Sequence, residues 1–246
     1  MTRPAPRTLD VIRSRHITPH MLRVTLGGAG LESFPPDQES AYIKLIFPQP
    51  EGARPLMRTY TVSRQRNTEI DVDFALHAAD GPASGWAVSA RPGDQILVGG
   101  PGPKKLVNAD ADWFLLAGDM TALPAITANI AQLPEDARGY VVLEVMAEAD
   151  IRPLTFPGNI EVHWLVNATA DPSGRPLLDR IEQLPWLSGQ PAVWAACEFH
   201  SMRAMRKYLT HERQVAKTHL YISSYWKMGS TEDQHKIEKR DDAQAE

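Results

Sequence analysis

Two short stretches hold the residues best suited to chemistry. The first is Arg58-Thr59-Tyr60-Thr61-Val62. On an extended strand side chains alternate between faces, so Arg58 and Tyr60 point the same way. A guanidinium there can grip a pyrophosphate through a charge-assisted fork. The tyrosine two residues on can lie flat against a fused aromatic ring, whose polar rim the Thr61 hydroxyl can bond. A surface strand with an arginine and a half-buried tyrosine explains the same spacing, so the pentad alone does not decide. The second stretch is Gly81-Pro82-Ala83-Ser84-Gly85-Trp86-Ala87. Small residues admit a ligand close to the main chain, and the N–H groups at a helix start attract phosphate. Ser84 can cap that helix, bond a phosphate oxygen, or do both.

The remaining composition excludes more than it supplies. Net charge is -4, which gives no general pull toward nucleic acid or an anionic membrane, so any basic site must be local. The single cysteine, Cys197, rules out an internal disulfide and a multi-cysteine metal site, and it fits a reducing cytosol. Cys197 closes a buried-type strand, which marks it as structural. No Ser/His/Asp or Cys/His arrangement for nucleophilic catalysis and no resident metal site is legible. The start, MTRPAPRTLD, lacks the apolar core of a signal peptide, and no apolar run approaches the ~18 residues that span a bilayer. The expectation is a soluble, cytoplasmic protein without membrane insertion.

The elements that position these residues fall into two kinds. Leu22, Val24 and Leu26 alternate with polar neighbours before Gly27-Gly28. Ala41, Ile43, Leu45 and Phe47 alternate next, with Tyr42 and Lys44 facing the other way. Val72, Phe74 and Leu76 form a third such segment, whose opposite face carries Asp71, Asp73, Ala75 and His77; Ile96–Val98 follows the turn Arg91-Pro92-Gly93-Asp94. With one short helix over 84–90, these strands predict a small closed barrel. Beyond residue 110 the pattern becomes strand–helix alternation: strands over 113–117, 140–146, 160–166, 192–196 and 220–225, and helices over 123–132, 177–184 and 201–211. That is an α/β layer with a parallel sheet. The division expected is 1–108, 109–228, and a charged tail, 229–246, read as a solvated terminal helix or a frayed end. Ligands of open parallel sheets sit at the carboxyl ends of the strands.

The two chemical stretches lie some twenty residues apart along the barrel, and here the sequence resembles a known family. KLIFPQP (44–50), RTYTV (58–62), DVDFALH (71–77), GPASGWA (81–87), PGD (92–94), WFLLAGDMTALPAI (113–126) and SYWKMG (224–229) are similar to the siderophore-interacting proteins, ferric-siderophore reductases of the ferredoxin-reductase-like superfamily. The seven pieces run through nearly the whole chain in family order. The resemblance implies a six-stranded antiparallel FAD-binding barrel followed by an NAD(P)-binding-like α/β domain. Arg58, Thr59, Tyr60 and Thr61 are then implied to bind the flavin and its phosphates, with Asp73 and His77 near it and Ala83 and Ser84 at the pyrophosphate. Gly118, Asp119 and Thr121 are implied to form the loop that meets the cofactor between the domains. Read alone, Asp119 caps the helix near Leu123 and His77 is a satisfied core histidine.

The family pattern also places lysines where an anionic ferric complex docks: Lys44, Lys104 or its neighbour Lys105, and Lys227. Electrons are implied to come from NADH, NADPH or reduced ferredoxin. No protein acid, base or metal ligand is required for electron transfer itself, so no catalytic side chain is assigned. The sequence departs from the pattern at Met120, where an acidic residue is common, and at Cys197-Glu198, which replaces a glycine-glutamate pair and puts nucleotide approach there in doubt. Arg203, Arg206 and Lys207 are candidates for the 2′-phosphate of NADPH. Glu148 and Asp150 suit a ribose hydroxyl instead, and the charged tail goes with family members that prefer NADH or ferredoxin. The rival readings are a flavin or ferredoxin-type reductase with another acceptor, and a non-catalytic siderophore carrier.

Overall fold

The computed structural model describes residues 5–47, 49, 55–76 and 81–244. They divide between Lys105 and Leu106 into two compact units. The first is a closed antiparallel barrel of β1 (Arg7–Thr18), β2 (Met21–Gly27), β3 (Tyr42–Phe47), β4 (Leu56–Arg66), β5 (Glu69–Ala75) and β6 (Gln95–Gly99), ordered β1-β2-β5-β4-β3-β6. Alternation decides what lies inside. Leu22, Val24 and Leu26 stand opposite Phe74, Val72 and Ile70, and all six join Ile43 and Leu45 in one buried cluster. Helix α1 (Pro82–Ser89) follows β5 and buries Ala83 and Ala87 against that cluster.

Strand β1 carries no alternating signal that sequence reading finds. Only Leu9 and Val11 turn fully inward, and register shifts between Val11 and Arg13 and between His16 and Thr18 break the period. The polar face of β5 is as expected in type but not in exposure. Asp71 and Asp73 are both buried. Arg23 grips Asp73 through Nε and Nη2 at 2.7 and 2.8 Å, and Ser63 Oγ donates to the same carboxylate at 2.8 Å. Arg66 forks onto Asp71, which also accepts from Thr25 Oγ1. Two arginines thus roof a row of carboxylates on the barrel wall.

The second unit is a five-stranded parallel sheet, ordered β11-β10-β7-β8-β9, with β7 (Trp113–Gly118), β8 (Arg138–Val145), β9 (Asn159–Val166), β10 (Pro191–Glu198) and β11 (Leu220–Trp226). Every residue of β7 and β10 is buried, as central parallel strands covered on both faces require. A Cβ on Gly118 would stand 2.4 Å from the Ala196 carbonyl oxygen, so β7 meets β10 at a distance only glycine permits. The helices are α2 (Leu123–Ile130), α3 (Pro176–Gln183), α4 (Phe199–Lys207) and α5 (Glu232–Gln244). Among the described residues no helix is long and apolar enough to cross a membrane.

The tail is neither frayed nor simply solvated. In α5, His235 is buried and its Nε2 shares a 2.8 Å hydrogen bond with Ser224 Oγ of β11. Lys239 Nζ donates to Ser223 Oγ and to the Ser224 carbonyl. Asp242 accepts from Arg206 and pairs with Arg203, both on α4. A charged helix with little apolar surface is docked by specific polar contacts.

Arg23→Ala leaves the Asp73 carboxylate buried with, among the described residues, Ser63 as its one side-chain donor. It is expected to lower stability by about 3 kcal/mol, read from denaturant unfolding, and a loss below about 1 kcal/mol would show that solvent reaches the carboxylate.

Candidate functional site

On the barrel, an aromatic chain joins β4, β5 and α1. The Tyr60 ring lies 4.4 Å from Phe74 between centroids, Phe74 lies 6.0 Å from Trp86 of α1, and Trp86 meets Phe47 at 5.9 Å. Strand register sorts the pentad. Arg58 and Tyr60 stand opposite Leu45 and Ile43 and share their face. Thr59 and Thr61 stand opposite Lys44 and Tyr42, on the other face. Tyr60 is half-buried at the rim of the core, and Arg58 donates from Nη1 to the Met57 carbonyl at 3.0 Å.

Ser84 does not cap α1. Gly81 is the N-cap in an extended conformation, Pro82 occupies the first turn, and no side chain closes the end. Ser84 falls within that turn instead. Proline suits this position because its missing N–H would be an orphan anyway, and the other first-turn N–H groups are left for an outside acceptor. Among the described residues nothing lies within 4 Å of where a Gly85 side chain would begin. Asp73 is held by Arg23 and Ser63 as described, and His77 lies outside the described residues. The Lys44 ammonium bonds Thr59 Oγ1 and sits 5.7 Å from the Tyr42 ring centroid. Lys104 is half-buried and Lys105 exposed.

In the second unit, Gly118, Asp119 and Thr121 end β7. Asp119 is not the cap of α2, whose N-cap is Ala122. Its Oδ1 accepts from Thr121 N at 2.9 Å and Thr121 Oγ1 at 2.5 Å. Its Oδ2 accepts from Glu198 N at 2.9 Å and Trp226 Nε1 at 2.8 Å. Burial pushes the carboxyl above the usual carboxylate range, and the donors pull it back only in part. Glu198 acts similarly next door. It N-caps α4 through His200 N and Ser201 N and also accepts from Met228 N and His200 Nδ1. Cys197 is fully buried, and burial raises its thiol far above the range in which it would react. Met120 is buried.

These carboxylates, with Glu144 and Asp171, line a small recess at the carboxyl ends of β7, β8 and β10. The structure narrows two sequence expectations about a nucleotide, leaving Glu148 and Lys207 exposed. Asp150 is fully buried and its Oδ2 caps the turn at Ala147, so it is not offered to a ribose. Arg203 and Arg206 are already paired with Asp242. Sequence reading missed Glu144, Trp226 as an indole donor, and the partner of Lys227. The Lys227 ammonium forms a 2.9 Å ion pair with Glu238 of α5 and lies 5.0 Å from the Phe199 ring centroid. Among the described residues no cluster of metal-ligating side chains occurs.

The profile of the "Siderophore-interacting FAD-binding domain" matches residues 10–53 and 49–105, and that of the "Siderophore-interacting protein" matches residues 111–229. The chain belongs to the siderophore-interacting protein family. It is 37% identical to ferric vibriobactin reductase ViuB of Vibrio cholerae, over 95% of this chain and 94% of that one. The siderophore-interacting protein SipS of Aeromonas hydrophila superposes with a TM-score of 0.87 at 33% identity, covering 98% of each chain. The cytochrome P450 reductase GcoB of Amycolatopsis, at 21% identity and a TM-score of 0.69 over 92% of this chain and 72% of that one, shares the fold. The barrel and parallel sheet are therefore the ferredoxin-reductase-like pair that the sequence resemblance implied.

Glu144 supplies a pH signature. Burial, and then the charge of Asp119, push its carboxyl up to about 7 from 4.5. The folded protein therefore holds this proton over a range where the unfolded chain has released it, and stability is lost as pH rises through that range. Glu144→Gln keeps an acceptor for Asn167 Nδ2, which bonds Glu144 Oε1 at 3.1 Å. The variant is expected to exceed wild type by about 1–3 kcal/mol above pH ~7.5 and to match it near pH ~4. Unfolding curves at the two pH values check this, and an equal difference at both would refute the titration.

Proposed function

We propose that this protein is an FAD-dependent ferric-siderophore reductase acting in the cytoplasm. The observation that carries the reading is the aromatic frame that links Tyr60 of β4 through Phe74 to Trp86 of α1, a helix whose start is uncapped, with Arg58 on the same face of β4 as Tyr60. Its residues fit FAD. The half-buried Tyr60 ring offers a flat face to a fused ring system, and Arg58 and the first turn of α1 at Ala83 and Ser84 offer positive ends to a pyrophosphate. The hydroxyls of Thr59 and Thr61 lie on the opposite face of β4 and would meet only a part of the cofactor that passes over that side. Full-length similarity to a ferric vibriobactin reductase supports iron(III) as the acceptor.

FAD held by Arg58, Tyr60 and the first turn of α1 would supply the redox chemistry that links a one- or two-electron donor to the one-electron reduction of iron(III) to iron(II). Hard oxygen ligands hold iron(II) less tightly, and the metal is let go. The chain's own part is to hold, orient and attract. Lys44, Lys104, Lys105 and Lys227 raise the local concentration of an anionic ferric complex. No side chain needs to move a proton for an electron to pass.

Reduced nicotinamide or reduced ferredoxin supplies the electrons. The carboxylates at the ends of β7, β8 and β10, and Asp242 on Arg203 and Arg206, argue against a donor that brings an extra 2′-phosphate. A carrier without flavin is the competing reading, and the presence of Arg58 and Tyr60 disfavours it.

The test is an absorbance spectrum of the purified protein, anaerobic reduction, and addition of a ferric siderophore. Expected are a flavin spectrum, rapid reoxidation and iron(II) captured by a chelator. A colourless protein that takes up no added FAD would instead favour the carrier. Arg58→Ala is expected to lose FAD during purification, and full occupancy in that variant would remove Arg58 from the pyrophosphate. Lys227→Ala is expected to raise the Kd of an anionic ferric complex by about two- to tenfold with FAD retained.

A further inference from the structure

The Lys227 ammonium already has an anion. Glu238 Oε1 stands 2.9 Å away on the docked helix α5, and Ser230 Oγ lies 3.4 Å from the same residue's Oε2. The lysine does not owe its position to that partner alone, because the Phe199 ring lies 5.0 Å from its nitrogen. Phe199 in turn starts α4 and is buried. Lys227 is one-fifth exposed and Glu238 more than a third. The pair is reachable from solvent, and an outside anion can compete for the ammonium.

We propose that Glu238 is a specificity-determining residue. Its carboxylate is a resident counter-ion on Lys227, which a ferric complex must displace with an anionic oxygen of its own. The inference rests on the reading of Lys227 as a substrate lysine. Its physical content is a threshold. An uncharged complex gains nothing from displacing Glu238, since it offers the ammonium no charge in exchange. A strongly anionic complex must displace the carboxylate while an uncharged one leaves it in place, so the ion pair narrows the preference for charge that Lys227 would otherwise give and sets how much charge a complex must bring. Solvent-exposed ion pairs are weak enough to open at this cost, and Phe199 keeps the lysine in place while they do. Asp242, one turn beyond Glu238, is paired with Arg203 and Arg206, so α5 stays anchored when Glu238 is released.

The experiment measures Kd by tryptophan fluorescence on the full-length protein with two probes. One is the trianionic iron(III) complex of a hexadentate tris-catecholate, the other the uncharged iron(III) complex of a hexadentate tris-hydroxamate. Glu238→Gln, which keeps shape and length, is expected to tighten the trianionic complex by about two- to fivefold at low salt. The gain should fade in high salt, and the uncharged complex should be unaffected. In a Lys227→Ala background the same change should give no gain. Equal shifts for both complexes, no shift at all, or a gain that survives without Lys227 would each overturn the proposal. If Lys227→Ala itself leaves the trianionic Kd at the wild-type value, the substrate role of Lys227 fails, and the proposal fails with it. If Lys227→Ala weakens binding but Glu238→Gln changes nothing, only the counter-ion role fails.

Discussion

Four hydrogen-bond donors from three places in the chain meet on the carboxylate of Asp119. A parallel sheet has no hairpins to hold the carboxyl ends of its strands together, since each return runs through a crossover. Asp119 does that work with one side chain. It fixes its own loop through Thr121, the end of β10 through Glu198 N, and the end of β11 through the indole of Trp226. Glu198 extends the stitch to α4 and to Met228. Burying a carboxylate is costly unless its lone pairs are met, and here they are met by groups that had to be ordered anyway. The position of Lys227, next after Trp226, follows from this knot.

The barrel solves a different problem with related chemistry. Its inside is filled by alternating aliphatic residues, while a row of carboxylates on β5 is closed over by Arg23 and Arg66. Aromatic contacts then run from β4 through Phe74 to α1, so the start of that helix and the Tyr60 ring belong to one frame. On the proposed reading, the helix start and the flat ring surface serve a dinucleotide only if their separation is fixed. A rigid aromatic bridge fixes it more firmly than loop contacts would.

Much of this architecture could be read from residue types. Alternation at Leu22–Leu26, Ile43–Phe47 and Val72–Phe74 marked barrel strands, and continuous apolar runs marked β7, β8 and β10. Strand β1 escaped because bulges interrupt its period and most of its side chains face out. At the candidate site, residue identity was legible and partnership was not. Arg23 and Asp73 are fifty positions apart, and nothing in a single sequence links them. The same holds for Glu238 and Lys227, which lie on either side of Gly229 at no helical spacing. Asp119 was read as a local cap because the sequence shows only its near neighbour, Thr121, and hides the indole of Trp226, 107 residues on. Helix α5 looked merely solvated because its buried anchor is a histidine among charges.

That histidine bears on how the sheet ends. β11 has a neighbour on one side only, and an outermost strand with unclaimed main-chain groups is a template on which another chain can build. Here α5 lies along it: His235 reaches Ser224, and Lys239 reaches the Ser224 carbonyl of the strand itself. The closed barrel has no such margin, whereas the sheet has two, β11 and β9, and α5 lies on the first. A helix this polar also carries the charges that keep the guarded margin soluble. The tail therefore covers part of an edge strand as well as supplying counter-charge, so the Ser224 carbonyl and the Lys227 ammonium both depend on the same helix for a partner.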